Sequence, residues 1–507
     1  MVTAARTSPG RPTSPASPTH LPRLVVAAPA SGHGKTTVAT GLMAALRRTG
    51  LAVSGHKVGP DYIDPGYHEL ATGRPGRNLD PHLVGEERIV PLLQHGARIG
   101  GRAADIAVIE GVMGLYDGHI GGDGFASTAH VARLTDSPVV LVVDISHASR
   151  SIAAVVLGMA TFDPGVRIAG VILNKAGSVR HSDEVRRALA PLGIPVLGVL
   201  QRDDNVTAPS RHLGLVPAAE RPEAARSLDH LAGKVASAID LEAVMRIARS
   251  APPLAGEAWS AGAALGGGVG ADGGDGLGGA GLGNAVGGRP PEFHDDDKVR
   301  PLIAVAGGRA FTFRYAETVE LLEAAGCSVA PFDPLADESL PEGTAGIYLG
   351  GGFPEVHAAD LASNEPMLRS LRAATSTGMP TVAECAGLLY LCRSLDGAPM
   401  VGAIDADAAM APRLTLAYRR STAPADSVLA TTGTEVTGHE FHRTAVTPAS
   451  GAAPAWTGPA GPEGFITGSV HASYLHTHWA GHPGLTLRFA ANVNRFSQAM
   501  ALGATPR

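Results

Sequence analysis

Residues 23–37 read RLVVAAPASGHGKTT, and this run decides the fold of the first half of the chain. Leu24 to Ala28 is a continuous apolar run of strand length, which suits a strand buried on both faces of a sheet. Gly32-His33-Gly34-Lys35-Thr36-Thr37 follows it and opens a helical stretch that runs to Thr49, with Gly50 at its end. A loop of small residues between a buried strand and a helix start lets backbone N–H groups approach phosphate oxygens, and the helix N-terminus adds a favourable dipole. Lys35 is therefore expected to hold the β- and γ-phosphates of ATP and Thr36 to place its hydroxyl on Mg²⁺. Gly32, Gly34 and Thr37 complete the cradle.

Moving outward, Ile106 to Ile109, Val139 to Val143 and Ile168 to Leu173 are further β-rich runs separated by helical stretches. That alternation predicts a parallel sheet with helices on both faces. Glu110 ends one such strand, the position from which a carboxylate of the Walker-B kind reaches a metal, and Asp61 is a second candidate ligand. Asp117 follows in Gly114-Leu115-Tyr116-Asp117-Gly118, and Asn174 with Lys175 ends another strand, where it can contact the base. Pro29 replaces the usual first glycine of the loop. Ala30 stands where partition-type ATPases carry their signature lysine, which speaks against that branch.

At 507 residues the chain is too long for one ordinary core. Four segments are expected: a disordered Ser/Thr/Pro-rich tail over 1–22, a P-loop domain over 23–250, a Gly/Ala-rich flexible linker over 251–298 and a second α/β domain over 299–500. The linker's glycines do not make a dinucleotide fingerprint, because no strand precedes them. A net charge of −6 argues against a general nucleic-acid binder, and no apolar run is long enough to span a bilayer. Three cysteines make no disulfide framework, so a cytoplasmic location is expected. The sequence does not fix the oligomeric state, and a homodimer is compatible with it.

The second half carries its chemistry at Ala383-Glu384-Cys385-Ala386-Gly387. Cys385 follows an apolar strand and precedes a helix, which is the geometry of a nucleophile elbow. The helix N–H groups are expected to lower the thiol pKa and to help form an oxyanion hole, with Gly351 and Gly352 of the Gly350-Gly351-Gly352 run as further donors. His476, about ninety residues downstream, is the candidate base. Cys392 reads as an ordinary buried cysteine.

These motifs together resemble the cobyrinate and hydrogenobyrinate a,c-diamide synthases of cobalamin biosynthesis. The resemblance rests on KVGPDYIDP (57–65), IEGVMGLYDG (109–118), PSRHLGL (209–215), YLGGGFPE (348–355), AECAGLLYL (383–391) and ASYLH (472–476), and it covers all but the tail and linker. It implies a dethiobiotin-synthetase-type P-loop domain and a class I, triad-type glutamine amidotransferase domain. It also implies amidation of the a and c carboxylates of a corrin through acyl phosphates, with ATP and L-glutamine as co-substrates. Carried across, Cys385 is the nucleophile and His476 its activator, while Asp61, Tyr62, Ile63, Glu110 and Asp117 match positions that shape carboxylate activation or the substrate site. His478 stands where the wider class carries a glutamate, so the sequence leaves open what orients His476. Cobyric acid synthases share both domains, and a nickel-tetrapyrrole diamide synthase would show nearly the same motifs; the 57–65 and 209–215 blocks favour the corrin diamide enzyme. A non-catalytic ATPase switch would need neither Cys385 nor His476. Overall resemblance leans toward the metal-free corrin acid.

Overall fold

Arg23–Ala27 is buried along its whole length, as its unbroken apolar composition requires of a strand covered on both faces. In the computed structural model, which describes residues 19–99, 102–202, 224–266 and 300–503 with the backbone of 210–211 and 214–215, it is the centre of a seven-stranded parallel sheet. The strand order is Arg77–Leu79, Val53–Val58, Ile106–Glu110, Arg23–Ala27, Val139–Asp144, Ile168–Ala176, Val196–Gln201. The strand order reverses around Arg23–Ala27, which puts the ligand crevice at the carboxyl ends of the central strands. The helix Lys35–Arg48 starts there from Gly34 and ends on Arg47 and Arg48, which complement the negative end of its dipole.

The second half builds a six-stranded sheet in the order Ser328–Phe332, Leu302–Ala306, Thr344–Leu349, Thr381–Glu384, Val470–Ser473, Phe465–Thr467. All neighbours are parallel except the last pair. A second sheet is dominated by a long antiparallel pair, Asp407–Thr422 with Glu435–Thr447, and its edge is the two-residue strand His476–Thr477. The chain therefore passes from the central sheet at Ser473 into the second sheet at His476. The chain is α/β in both halves, a parallel-sheet domain that carries the phosphate loop followed by a second α/β domain.

The two halves meet over a polar and aromatic surface. Arg77 donates to Glu317 Oε1 and Glu320 Oε1, both at 2.5 Å, and His95 Nε2 lies 2.7 Å from Glu320 Oε2. Tyr418 donates to Asp80 Oδ2 at 2.6 Å from the long antiparallel pair. Arg77 and Glu317 are fully buried, so this contact excludes water.

Two expected boundaries move. The expected linker does not begin at 251: Leu254 pairs with Thr19, Trp259 is buried against His95, and Ala261–Gly266 is helical. The reason is local: Leu254 and Trp259 supply apolar surface that the purely Gly/Ala stretch beyond them lacks. Leu21 is likewise buried, so the last residues of the expected tail are part of the fold. The rest of the tail, residues 267–299 and part of the 209–215 block lie outside the described residues. The chain before 251 closes on two helices, Ala224–Ala238 and Leu241–Arg249, with Asp240 capping the second.

Candidate active site

The phosphate loop is held from behind by neighbouring strand ends. Asn174 Nδ2 donates to the His33 carbonyl at 2.8 Å, and Lys175 Nζ donates to the Gly32 carbonyl at 2.8 Å while pairing with Asp144 at 2.7 Å. Gly34 has φ +87°, and a Cβ there would sit 2.3 Å from Asn174 Nδ2. Only glycine fits both demands. Asn174 thus braces the loop backbone in this structure. The loop opens on a cleft of 780 Å³ lined by Gly32, Gly34, Lys35, Thr36, Thr37, Asp61 and Asn174, among others.

Lys35 donates to the carbonyls of Ala30 and Met113. Burial, together with repulsion from Lys57, brings its pKa down to about 8. Thr36 donates to Glu110 Oε1 at 2.5 Å and approaches Asp64 Oδ2 at 3.3 Å. Lys57 lies between the two carboxylates, 2.5 Å from Asp64 and 2.9 Å from Glu110, and His68 Nε2 is 2.7 Å from the other Glu110 oxygen. Burial would raise Glu110, but Lys57 and His68 hold it well below the usual carboxylate range. Asp64 goes the other way, pushed up by burial, then by Asp61 and Glu110. Among the described residues no three His, Cys, Asp or Glu side chains form a closed metal cage. The oxygen set of Thr36, Glu110 and Asp64 nonetheless fits Mg²⁺, which typically takes one or two carboxylates and completes its shell from phosphates and water.

Several expected residues fall elsewhere. Asp61 does line the cleft, and its Oδ1 accepts the N–H groups of Ile63 and Asp64 at the start of the helix Ile63–Thr72. Ile63 is buried in the core. Tyr62 leaves the cleft for the domain boundary, where it stacks on Phe313 at 4.6 Å and sits 2.5 Å from His439 Nε2. Asp117 accepts the Gly114 N–H at 3.0 Å and shapes the loop that carries the Met113 carbonyl to Lys35.

At the second site the chain turns sharply between Thr381–Glu384 and the helix Ala386–Leu391, and Cys385 takes φ +49°, strained for a non-glycine residue. The expected lowering of its thiol pKa does not hold in this structure. Burial pushes the thiol up, Glu355 adds to it, and the Ala386 N–H only partly offsets them. The helix has six residues, too short for a substantial dipole. Gly351 is also not a free oxyanion donor, since its N–H donates to the Phe313 carbonyl at 2.9 Å. It serves space instead: a Cβ there would lie 2.5 Å from His476 Cε1. At Gly352 a Cβ would strike the Ala310 carbonyl at 2.0 Å.

His476 is fully buried, stacked on His439 at 5.1 Å and tilted against Tyr62 at 4.9 Å. Burial, then His442, brings its pKa down to about 3, so it is a neutral imidazole near pH 7. His478 faces away from it, stacked on Tyr315 at 4.1 Å and 3.7 Å from Glu317. Tyr62 thus joins the two sites: its neighbours Asp61 and Asp64 belong to the phosphate cleft, and its ring touches His476.

Both halves match family models. Residues 24–216 match the CobQ/CobB/MinD/ParA nucleotide binding domain, and residues 302–484 the CobB/CobQ-like glutamine amidotransferase domain. A hydrogenobyrinate a,c-diamide synthase of Thermobifida fusca is 59% identical over 94% of this chain and 97% of its own length. The chain belongs to the hydrogenobyrinate/cobyrinate a,c-diamide synthase family. A member named for the same reaction, from Streptomyces coelicolor, is 56% identical over 94% of this chain and 98% of its own. A cobyrinate a,c-diamide synthase of Dehalococcoides mccartyi is 39% identical over 93% and 98%. As a family member the chain is an enzyme, a glutamine-dependent ligase whose domains suit ATP and glutamine. Among the described residues no helix is long and apolar enough to cross a membrane.

Sequence reasoning about this synthase family member missed Lys57 and His68 as the partners of Glu110, and Asp64 as the second carboxylate on Lys57. The available signal was a lysine at the end of a strand buried along its whole length, which demands a buried counter-charge.

Proposed function

We propose that the protein amidates the a and c carboxylates of hydrogenobyrinic acid in turn, using ATP and glutamine. The observation that carries this is the identity of 59% and 56%, over nearly full length, to two relatives named for that substrate, against 39% to one named for cobyrinate. In the synthetase half, Lys35 and the loop N–H groups hold the phosphates while the substrate carboxylate attacks the γ-phosphorus and ADP leaves. Mg²⁺, held by Thr36, Glu110 and Asp64, would neutralise charge on the phosphates as the γ-phosphoryl group is transferred. Lys57 keeps Glu110 ionised for that task. The buried surface beside the cleft protects the acyl phosphate from water.

In the amidotransferase half, Cys385 attacks the glutamine carboxamide and His476 takes the thiol proton and returns it to the departing ammonia. The resting thiol is protonated, so attack waits until substrate brings the groups together. The Ala386 and Gly352 N–H groups are the oxyanion donors. Water then hydrolyses the thioester to glutamate. Ammonia displaces phosphate from the acyl phosphate to give the amide. Side-by-side incubation with hydrogenobyrinic and cobyrinic acids, ATP and glutamine tests the choice of substrate. Mass spectrometry should show two amides gained on the metal-free acid at the higher kcat/KM. Preference for the cobalt form would overturn that choice, and no amidation of either would remove the corrin assignment.

A further inference from the structure

Nothing in the sequence names the group that orients His476. The obvious candidate, His478, is turned away and engaged with Tyr315 and Glu317. Glu317 cannot serve, because its carboxylate is bound by Arg77 at 2.5 Å and its second oxygen faces His478. One carboxylate does face His476: Glu384, the residue immediately before the nucleophile, with Oε2 4.0 Å from His476 Nδ1.

We propose that Glu384 is the positioning residue for His476 and completes a Cys385–His476–Glu384 relay, an inference that rests on the glutamine-hydrolysing role given above to Cys385. Three observations support it. Glu384 is buried and fixed, with Oε2 accepting from the Tyr348 hydroxyl at 2.9 Å and Oε1 accepting from the Thr477 hydroxyl at 2.9 Å. Thr477 is itself held by Trp479 Nε1 at 3.2 Å, so the carboxylate cannot swing away. His476 Nε2 is buried and has no hydrogen-bond partner, as expected of a nitrogen kept free to receive a proton.

The chemistry follows from the tautomer. A carboxylate beside Nδ1 favours the imidazole with its proton on Nδ1, which leaves the Nε2 lone pair available as base. When Nε2 takes the Cys385 proton, the imidazolium carries a charge that the buried site otherwise penalises, and Glu384 balances it. The gap of 4.0 Å is longer than a hydrogen bond, so the contact tightens only in the charged state. The ionisable groups around Glu384 are His476, Cys385, Tyr348, Tyr62 and Tyr315. Burial pushes Glu384 itself up to about 7, against the pull of Thr477 and Tyr348.

Glu384→Gln keeps shape and removes charge. We expect its glutaminase kcat to fall about a hundredfold or more, the scale of a lost acid–base relay, with KM for glutamine within a few-fold. Amidation supported by added ammonium, which bypasses the cysteine, should persist. The wild-type rate should rise with pH through about 7 as Glu384 ionises. Glu384→Gln should lack that limb, and Glu384→Asp should restore part of the rate. Thr477→Val, which loosens Glu384 without removing charge, should give an intermediate loss in kcat. Wild-type kcat and pH profile in Glu384→Gln would overturn the proposal, as would parallel loss of the ammonium-supported reaction. Full glutamine-dependent turnover in Cys385→Ala would instead sink the underlying role of the cysteine.

Discussion

Gly34 and Gly351 show how one residue type serves two sites through different constraints. At Gly34 both the backbone and the space forbid a side chain: φ is +87°, and a Cβ would stand 2.3 Å from Asn174 Nδ2. Gly34→Ala should therefore weaken ATP binding at least tenfold by titration calorimetry, for a strain of about 1–3 kcal/mol. Gly351 is limited by space alone, with His476 Cε1 2.5 Å from where Cβ would stand. Gly351→Ala should cut glutamine-dependent amidation while leaving the ammonium-dependent rate within a few-fold; equal loss of both would show a general fold defect. The positions of the loop residues, Glu110 and Cys385 in the fold were legible because each is tied to a local pattern, a strand end followed by a turn, whereas His476 was picked out by its place downstream of Cys385. Their partners were not, because strand register sets them. Lys57 lies beside Glu110, and His439 beside His476, only through pairing between strands distant in sequence.

Elements carry the coupling between halves. The edge strand Arg77–Leu79 and the helix Ala316–Ala324 are joined by the buried pair Arg77 and Glu317, and Glu317 in turn faces His478, on the stretch that carries His476. Arg77 holds Glu317 below the usual carboxylate range against the cost of burial. Arg77→Ala leaves that carboxylate buried without its partner, so the domain contact should lose about 3–5 kcal/mol. Arg77→Met with Glu317→Met should lose less, because no fully buried charge is left unpaired, Glu320 being partly exposed and still beside His95. Chemical denaturation of the three proteins checks this, and equal losses would mean that packing, not charge, holds the contact. The strand-and-helix alternation of both halves was plain from apolar runs. The boundary near 251 was not, because two apolar residues, Leu254 and Trp259, sit at the start of a stretch otherwise dominated by glycine and alanine.

Across the whole molecule, burial sets the response to pH. His56, His439, His471, His476, His478 and His482 all have pKa values lowered chiefly by burial. Each takes up a proton on unfolding once pH drops below the ordinary histidine value of about 6.5. Their contribution is complete above that value and is lost as pH falls towards the folded pKa. Asp80, Glu384 and Glu463, raised by burial to about 6, 7 and 7, oppose this, because their stabilisation is present at low pH and lost on the way up through those values. The histidines outnumber them, so stability should fall from pH 7 to pH 5 by on the order of 1–2 kcal/mol per pH unit. Thermal melts across that range check the sign, and a rising Tm on acidification would refute it.

In the proposed reaction nitrogen leaves glutamine at Cys385 and reaches a corrin carboxylate activated beside Lys35. Amide-¹⁵N glutamine supplied with ATP and hydrogenobyrinic acid, in the presence of unlabelled ammonium, tests it in one mass spectrum. The doubly amidated product should carry mainly ¹⁵N at both amides, and the product from Cys385→Ala should be unlabelled. Unlabelled amides from the native protein, or no amidated corrin at all, would contradict it.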